Sequence, residues 1–223
     1  MSVAEADLIS RWDSYRFGNG PKISLQPGTI GWSIEDLNDP DVRFLWDEGR
    51  YEILDGVLTI MPPAYFRGGN VVDNLKFFLR SYFLTAKIPA SFSGDVDVAI
   101  SADRVVRADG VAVCGDDLTK FDALQFDPPR TSWRDHELIL PPTIVIESVS
   151  QGHEAHDRVT KRRWYAEFKV PHYWIVDGLG RTLECLRLDG DHYLLDAAGK
   201  QNEILQPSGF PGLTIPLNDV WEQ

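Results

Sequence analysis

Two carboxylates and one amine stand out because of the residues around them. Asp109 lies inside residues 105 to 113, an apolar, β-branched stretch that reads as a strand. Glu147 interrupts the nearly continuous apolar run ILPPTIVIESVS. A carboxylate buried alone costs several kcal/mol, so each acid must be paired, protonated or bound to a cation. Two such acids on adjacent strands of one sheet suit a divalent ion. Mg²⁺, with Mn²⁺ as a substitute, accepts one or two carboxylates and completes its shell with water and phosphate oxygens. Strand-end caps or arginine partners would account for the same two residues.

The third group comes from the segment that follows. Residues 154 to 168 read as a basic helix on which Asp157, Lys161 and Tyr165, spaced four apart, share one face. From there Lys161 would reach the acids and position a hydrolytic water. The other account is an Asp157–Lys161 pair on a solvated face. Arg158, Arg162 and Arg163 make this helix locally basic and the best candidate for a phosphate contact. That local charge matters because the 223-residue chain has 34 Asp and Glu against 22 Lys and Arg, a net charge of −12. Nucleic-acid binding through a broad basic surface is therefore excluded, and any such role needs a local patch or metal ions.

Other motifs fail on spacing. His153-Glu154-Ala155-His156 separates its histidines by three positions where the zinc signature HExxH needs four. Ser148 and Ser150 sit in no GxSxG elbow, and there is no GxxxxGK[ST] or GxGxxG loop. His136, His172 and His192 read as structural or exposed. The tryptophans are scattered, which suits core packing. Cys114 and Cys185 stand far apart without CxxC, which predicts a reducing compartment and no zinc site. MSVAEADLIS is acidic and lacks a basic-then-apolar leader, and no run approaches the roughly 18 apolar residues of a membrane span. The expectation is an intracellular, cytoplasmic protein without a membrane role.

The elements that must position these residues follow from periodicity. Residues 1–31 read as an extension of uncertain structure, and 32–223 as a single domain. Ser33 caps a short helix, and residues 51–60 form a hairpin closed by Asp55-Gly56 and ended by Met61-Pro62-Pro63. Val71, Val72, Leu75, Phe78, Leu79, Tyr82 and Phe83 repeat at helical spacing over 69–87. Strands follow at 96–100, 105–113 and 143–149. Between the last two, residues 114–141 read as a long polar, proline-interrupted excursion. After the basic helix come strands at 172–177 and 182–188, with weaker ones at 193–195 and 213–217. This order predicts an α/β fold, one mixed sheet flanked by helices, plus an N-terminal hairpin.

In this arrangement the chain resembles the Uma2 family of restriction endonuclease-like proteins, within the PD-(D/E)XK nuclease-like superfamily. The landmarks run in order: YEILDG at 51–56, MPP, the amphipathic helix, VDVAIS at 96–101, and Val106-Arg107-Ala108-Asp109. IVIESVS at 144–150, Asp157…Lys161…Tyr165, VPHYWIVD at 170–177 and a late PGLTIPL complete the series. The resemblance implies a restriction-endonuclease-like core and Mg²⁺-dependent hydrolysis of phosphodiesters in nucleic acid, DNA first. It makes Asp109 and Glu147 the metal carboxylates. Val149 stands two after Glu147, so Lys161 supplies the superfamily lysine from the neighbouring helix. Glu52 matches a further acidic position, a metal or water contact. A homodimer follows by analogy, since paired sites would cut both strands. The chain departs from the family pattern at Ala108, at residues 65–69, at Ser150-Gln151 and at Lys169. The alternative is a non-catalytic member of the fold, a dimerisation or partner-binding module.

Overall fold

A computed structural model describes residues 24–61, 66–126, 137–149 and 154–221, the side chains of 66–69 and 122–126 aside. Expectations for residues 1–23, Pro62-Pro63, His136, Ser150-Gln151 and His153 fall outside these residues. In chain order the strands are β1 (Tyr51–Leu54), β2 (Val57–Ile60), β3 (Ala90–Ser93), β4 (Val96–Ser101), β5 (Arg104–Ala108), β6 (Gly110–Cys114) and β7 (Glu137–Leu138). β8 (Ile144–Ser148), β9 (His172–Asp177), β10 (Thr182–Asp189), β11 (His192–Lys200), β12 (Ile204–Leu205) and β13 (Ile215–Pro216) follow. The helices are α1 (Pro40–Glu48), α2 (Phe66–Ala86), α3 (Asp116–Phe126), α4 (Arg162–Glu167) and α5 (Leu217–Trp221), with a 3-10 turn at Ile34–Asn38 and a π-helical turn at His156–Lys161.

These elements fall into two compact units between which the chain passes repeatedly. One is drawn from segments within 1–63, 97–107 and 124–137, the other from segments within 64–96, 108–123 and 138–223. In the first, Asp36 reaches back to the Ser33 amide at 2.7 Å, closing the foreseen cap on the 3-10 turn. Asp39 then caps α1, accepting from the Asp41 amide at 2.8 Å, and Pro40 opens the helix. The hairpin is as expected: Asp55 (φ 51°) and Gly56 (φ 76°) take the left-handed conformations of a tight two-residue turn. The sheet order is β2-β1-β5-β4-β7. Trp46, Ile53, Leu58 and Val105 form its dry core. Residues 24–31 pair with the hairpin, Gly28 donating to the Leu58 carbonyl at 2.8 Å and Leu25 entering the core.

The second unit is built on the mixed sheet β11-β10-β9-β8-β6-β3. Every neighbouring pair is antiparallel except β8 and β9, which are parallel and therefore need a crossover. The π turn and α4 supply it. Because side chains alternate along a strand, Ile144 and Ile146 of β8 face α2, joining Val72, Leu75, Leu79 and Trp174 in the larger core. Val145 and Glu147 face the crossover.

Three expectations need correction. Residues 105–113 are not one strand: the chain breaks at Asp109, and β5 and β6 belong to different sheets. Gly110 permits the close passage that follows, since a Cβ there would lie 2.8 Å from Val72 Cγ1. Apolar alternation reads the same whether a strand continues or changes sheet. Within 114–141, residues 116–126 are helix α3, started by the left-handed Gly115 (φ 60°) with Asp116 and Asp117 in the first turn. The β-strand foreseen at 193–195 extends over β11, nine residues.

Candidate metal and catalytic site

The site forms where β6, β8 and the crossover meet in the second unit. The β6–β8 register pairs Gly110 with Ile146, so its continuation sets Asp109 opposite Glu147 on the same face. The Ser148 amide donates to Asp109 Oδ2 at 2.8 Å, which ties the break in the chain to the end of β8. Glu147 is 2% exposed, on a strand buried on both faces.

From the crossover, Lys161 Nζ lies 3.3 Å from Glu147 Oε1, and the Tyr165 hydroxyl donates to the same oxygen at 2.8 Å. Lys161 also faces Asp157 Oδ1 at 3.9 Å. Lys161, Asp157 and Tyr165 are all buried, so the solvated-face account of the Asp157–Lys161 pair is overturned. The shared face is real, but residues 156–161 are π-helical where an ordinary α-helix was expected. Such a turn widens the helix locally and is often found at functional positions. Here it carries Lys161 at its last residue, directly before α4.

A column of phenols backs this group. Tyr165 and Tyr173 rings sit 5.1 Å apart, and Tyr173 and Tyr193 rings 5.7 Å apart. The Tyr173 hydroxyl donates to the Asp157 carbonyl at 3.0 Å, and that of Tyr193 to the Val170 carbonyl at 2.7 Å. Burial pushes the Tyr173 phenol well above its ordinary value, with the anions Glu147 and Asp157 adding to the effect, so it remains a proton donor.

The arginines of the crossover occupy its other side. Arg158 pairs with Glu184 on β10, and Arg162 Nη2 donates to the Tyr193 carbonyl on β11 at 2.9 Å. Arg163 is largely exposed, 3.8 Å from Glu167. With Val159, Asp191 and Tyr193 these three line an open groove of about 370 Å³. Glu52 belongs to the first unit, where it is buried and its Oε1 accepts from the Arg107 amide at 2.9 Å.

The remaining expectations concern residues kept out of chemistry. Burial holds His172 neutral, its pKa lowered to about 4. Cys114 and Cys185 are free and buried, and burial pushes the Cys114 thiol up to about 12. Among the described residues no helix is long and apolar enough to cross a membrane.

Sequence reasoning missed two features of the packing around this group. Tyr173 follows from its pairing with Val145 in the parallel β8–β9 register, which puts it on the crossover face, but no local pattern reveals that register. Lys76 on α2 and Gly94 after β3 are the other case. A Cβ on Gly94 would stand 2.9 Å from both the Asp109 carbonyl and Lys76 Nζ, so only a bare glycine leaves room for both. Lys76 reads in sequence only as a surface partner of Asp73, which it does meet at 2.7 Å.

As a donor set, Asp109 and Glu147 fit Mg²⁺. Among the described residues no three His, Cys, Asp or Glu side chains gather into a metal cage. A carboxylate pair is what Mg²⁺ commonly takes from a protein, leaving positions for water and phosphate. Positive charge is already placed against Glu147 by the buried Lys161.

The second unit thus carries Asp109 just before β6, Glu147 on β8 and Lys161 on the crossover of one mixed α/β fold. The chain belongs to the Uma2 family, described as "Putative restriction endonuclease", which matches residues 41–218. Among solved structures it is similar to a "putative nuclease belonging to DUF820" from Anabaena variabilis ATCC 29413. That likeness has a TM-score of 0.58 at 12% identity and covers 78% of this chain and 90% of the other. No curated protein matches the chain.

Proposed function

We propose that this protein is a divalent-metal-dependent endonuclease that hydrolyses phosphodiester bonds of nucleic acid, DNA being the first substrate to test. The observation that carries this reading is the buried Lys161–Glu147 contact at 3.3 Å on the strand whose Ser148 amide holds the Asp109 carboxylate. The family description and the nuclease named in the similar structure support it.

Asp109 and Glu147 would hold Mg²⁺, which supplies Lewis acidity and lowers the pKa of a bound water. The chain's own groups do the rest. Lys161 orients the attacking water and offsets negative charge as it builds on the phosphate. The water oxygen bonds to phosphorus while the bond to the 3′ oxygen breaks, leaving a 5′-phosphate and a 3′-hydroxyl. Arg158, Arg162 and Arg163 give flanking phosphates a cationic groove on an otherwise acidic protein. Glu52 fastens β5 at Arg107, two residues before Asp109. A homodimer would present two sites, one for each strand.

The test is incubation of purified protein with supercoiled plasmid, linear duplex, single-stranded DNA and RNA in Mg²⁺, Mn²⁺ or EDTA, beside Glu147→Ala purified identically. Cleavage that needs metal and vanishes in the variant is the expected result. Equal cleavage by the variant, or none by either protein in any metal, overturns the proposal.

A further inference from the structure

We propose that Tyr165 is a positioning residue for the cation site, and that it and Lys161 act on cation binding with opposite signs. The inference rests on the metal site proposed above. Both residues donate to one oxygen, Glu147 Oε1, Tyr165 at 2.8 Å and Lys161 at 3.3 Å. They differ in charge. A hydroxyl is a neutral donor, so it orients the carboxylate without repelling an arriving dication. An ammonium in the same buried place neutralises Glu147 while the cation is absent and opposes it on arrival.

The fold holds the Tyr165 hydroxyl in place. Its ring is fully buried and packs on Tyr173, which packs on Tyr193. The backbone at both ends of this column is pinned, since the Val170 amide donates to the Tyr165 carbonyl at 3.0 Å and the Tyr193 hydroxyl closes on the Val170 carbonyl. Partners that orient a metal-binding side chain typically contribute about 10- to 100-fold in affinity. Tyr173 provides an internal control, being equally buried in the same column but donating to the Asp157 backbone and not to Glu147.

Mn²⁺ affinity, measured by calorimetry on the full-length protein without substrate, tests this. Tyr165→Phe keeps the ring and loses only the hydroxyl, and its dissociation constant should rise about 10-fold or more. Lys161→Met should lower it, and Tyr173→Phe should leave it within about twofold. A second reading uses Mg²⁺ titration of the near-ultraviolet tyrosine absorbance, with a difference signal expected in wild type and in Tyr173→Phe. Equal affinity of Tyr165→Phe and wild type overturns the inference, as does an equal loss in both tyrosine variants, which would mean packing alone. Absence of Mn²⁺ binding by the wild type overturns the metal site itself.

Discussion

In the first unit Asp97 is gripped by a guanidinium: Arg107 Nε meets Oδ1 at 2.8 Å and Nη2 meets Oδ2 at 3.2 Å, with the Trp46 indole adding a bond at 2.6 Å. Arg43 pairs with Glu137 nearby, both out of water, where burial pushes the Glu137 carboxyl up and Arg43 draws it back. In the second unit Glu147 is met by the Lys161 ammonium at 3.3 Å and the Tyr165 phenol. Both regions bury carboxylates, but the fork of an arginine fits both oxygens of its partner, whereas a lysine is a point charge on a flexible stem. The first arrangement locks its acid. The second meets its acid with a point charge and a neutral donor. Both clusters bury charge, so under the proposed function it is the kind of counter-charge that separates them.

If the contrast holds, the two clusters respond differently to the same kind of damage. Asp97→Ala removes one partner of a locked pair and should cost about 3–5 kcal/mol in urea unfolding. A cost under about 1 kcal/mol would make that pair no more than a surface contact and erase the distinction. In the second unit, Glu147→Gln and Asp157→Asn combined with Lys161→Met remove all three charges of the buried cluster at once. Cleavage should fall by about 100-fold or more. Unfolding free energy should stay within about 1 kcal/mol of wild type, or rise, because an uncharged set of similar volume replaces a buried ionic one. A large stability loss there would mean that the second cluster is a lock as well.

Smaller effects refine the boundary of the site. Gly94→Ala should cost about 1–2 kcal/mol, since the Asp109 carbonyl cannot move as freely as the Lys76 side chain. Adding Lys76→Ala should not restore it, and full recovery in that double variant would remove the backbone clash from the account. Arg163→Ala should leave stability within about 0.5 kcal/mol, because its pair with Glu167 is exposed. It should also lower the salt dependence of nucleic-acid binding by about one unit of slope. An unchanged slope would take Arg163 out of the nucleic-acid interface.

Much of this was legible in the residues. Glu147 announced itself because a charge inside an uninterrupted apolar strand demands a partner, and Lys161 because its spacing from Asp157 and Tyr165 defines a helix face. The hairpin turn at Asp55-Gly56 and the face of α2 followed from local rules in the same way. Helix α1 was not read, although Asp39 followed by Pro40 is a start signal. Helix α3 was hidden by the polar and proline-rich residues that follow it, which drew the whole segment into one irregular stretch. The π turn had no warning, because the apolar spacing of an α-helix survives a locally widened turn.

By itself, then, the sequence determined which residues are costly to bury, where most strands and the long helix run, and that any contact with a polyanion must be local on a chain of net charge −12. These are properties of neighbours a few positions apart, set by side-chain chemistry and backbone period. Tertiary structure alone decided that Asp109 ends one sheet's strand and begins another's, and that Tyr165 and Lys161 converge on one oxygen of Glu147. It also decided that Asp97 and Glu137 have guanidinium partners, Arg43 lying 94 positions from Glu137. Register, sheet membership and the identity of a buried counter-charge depend on contacts between distant segments, and those are chosen by the packing of the whole fold.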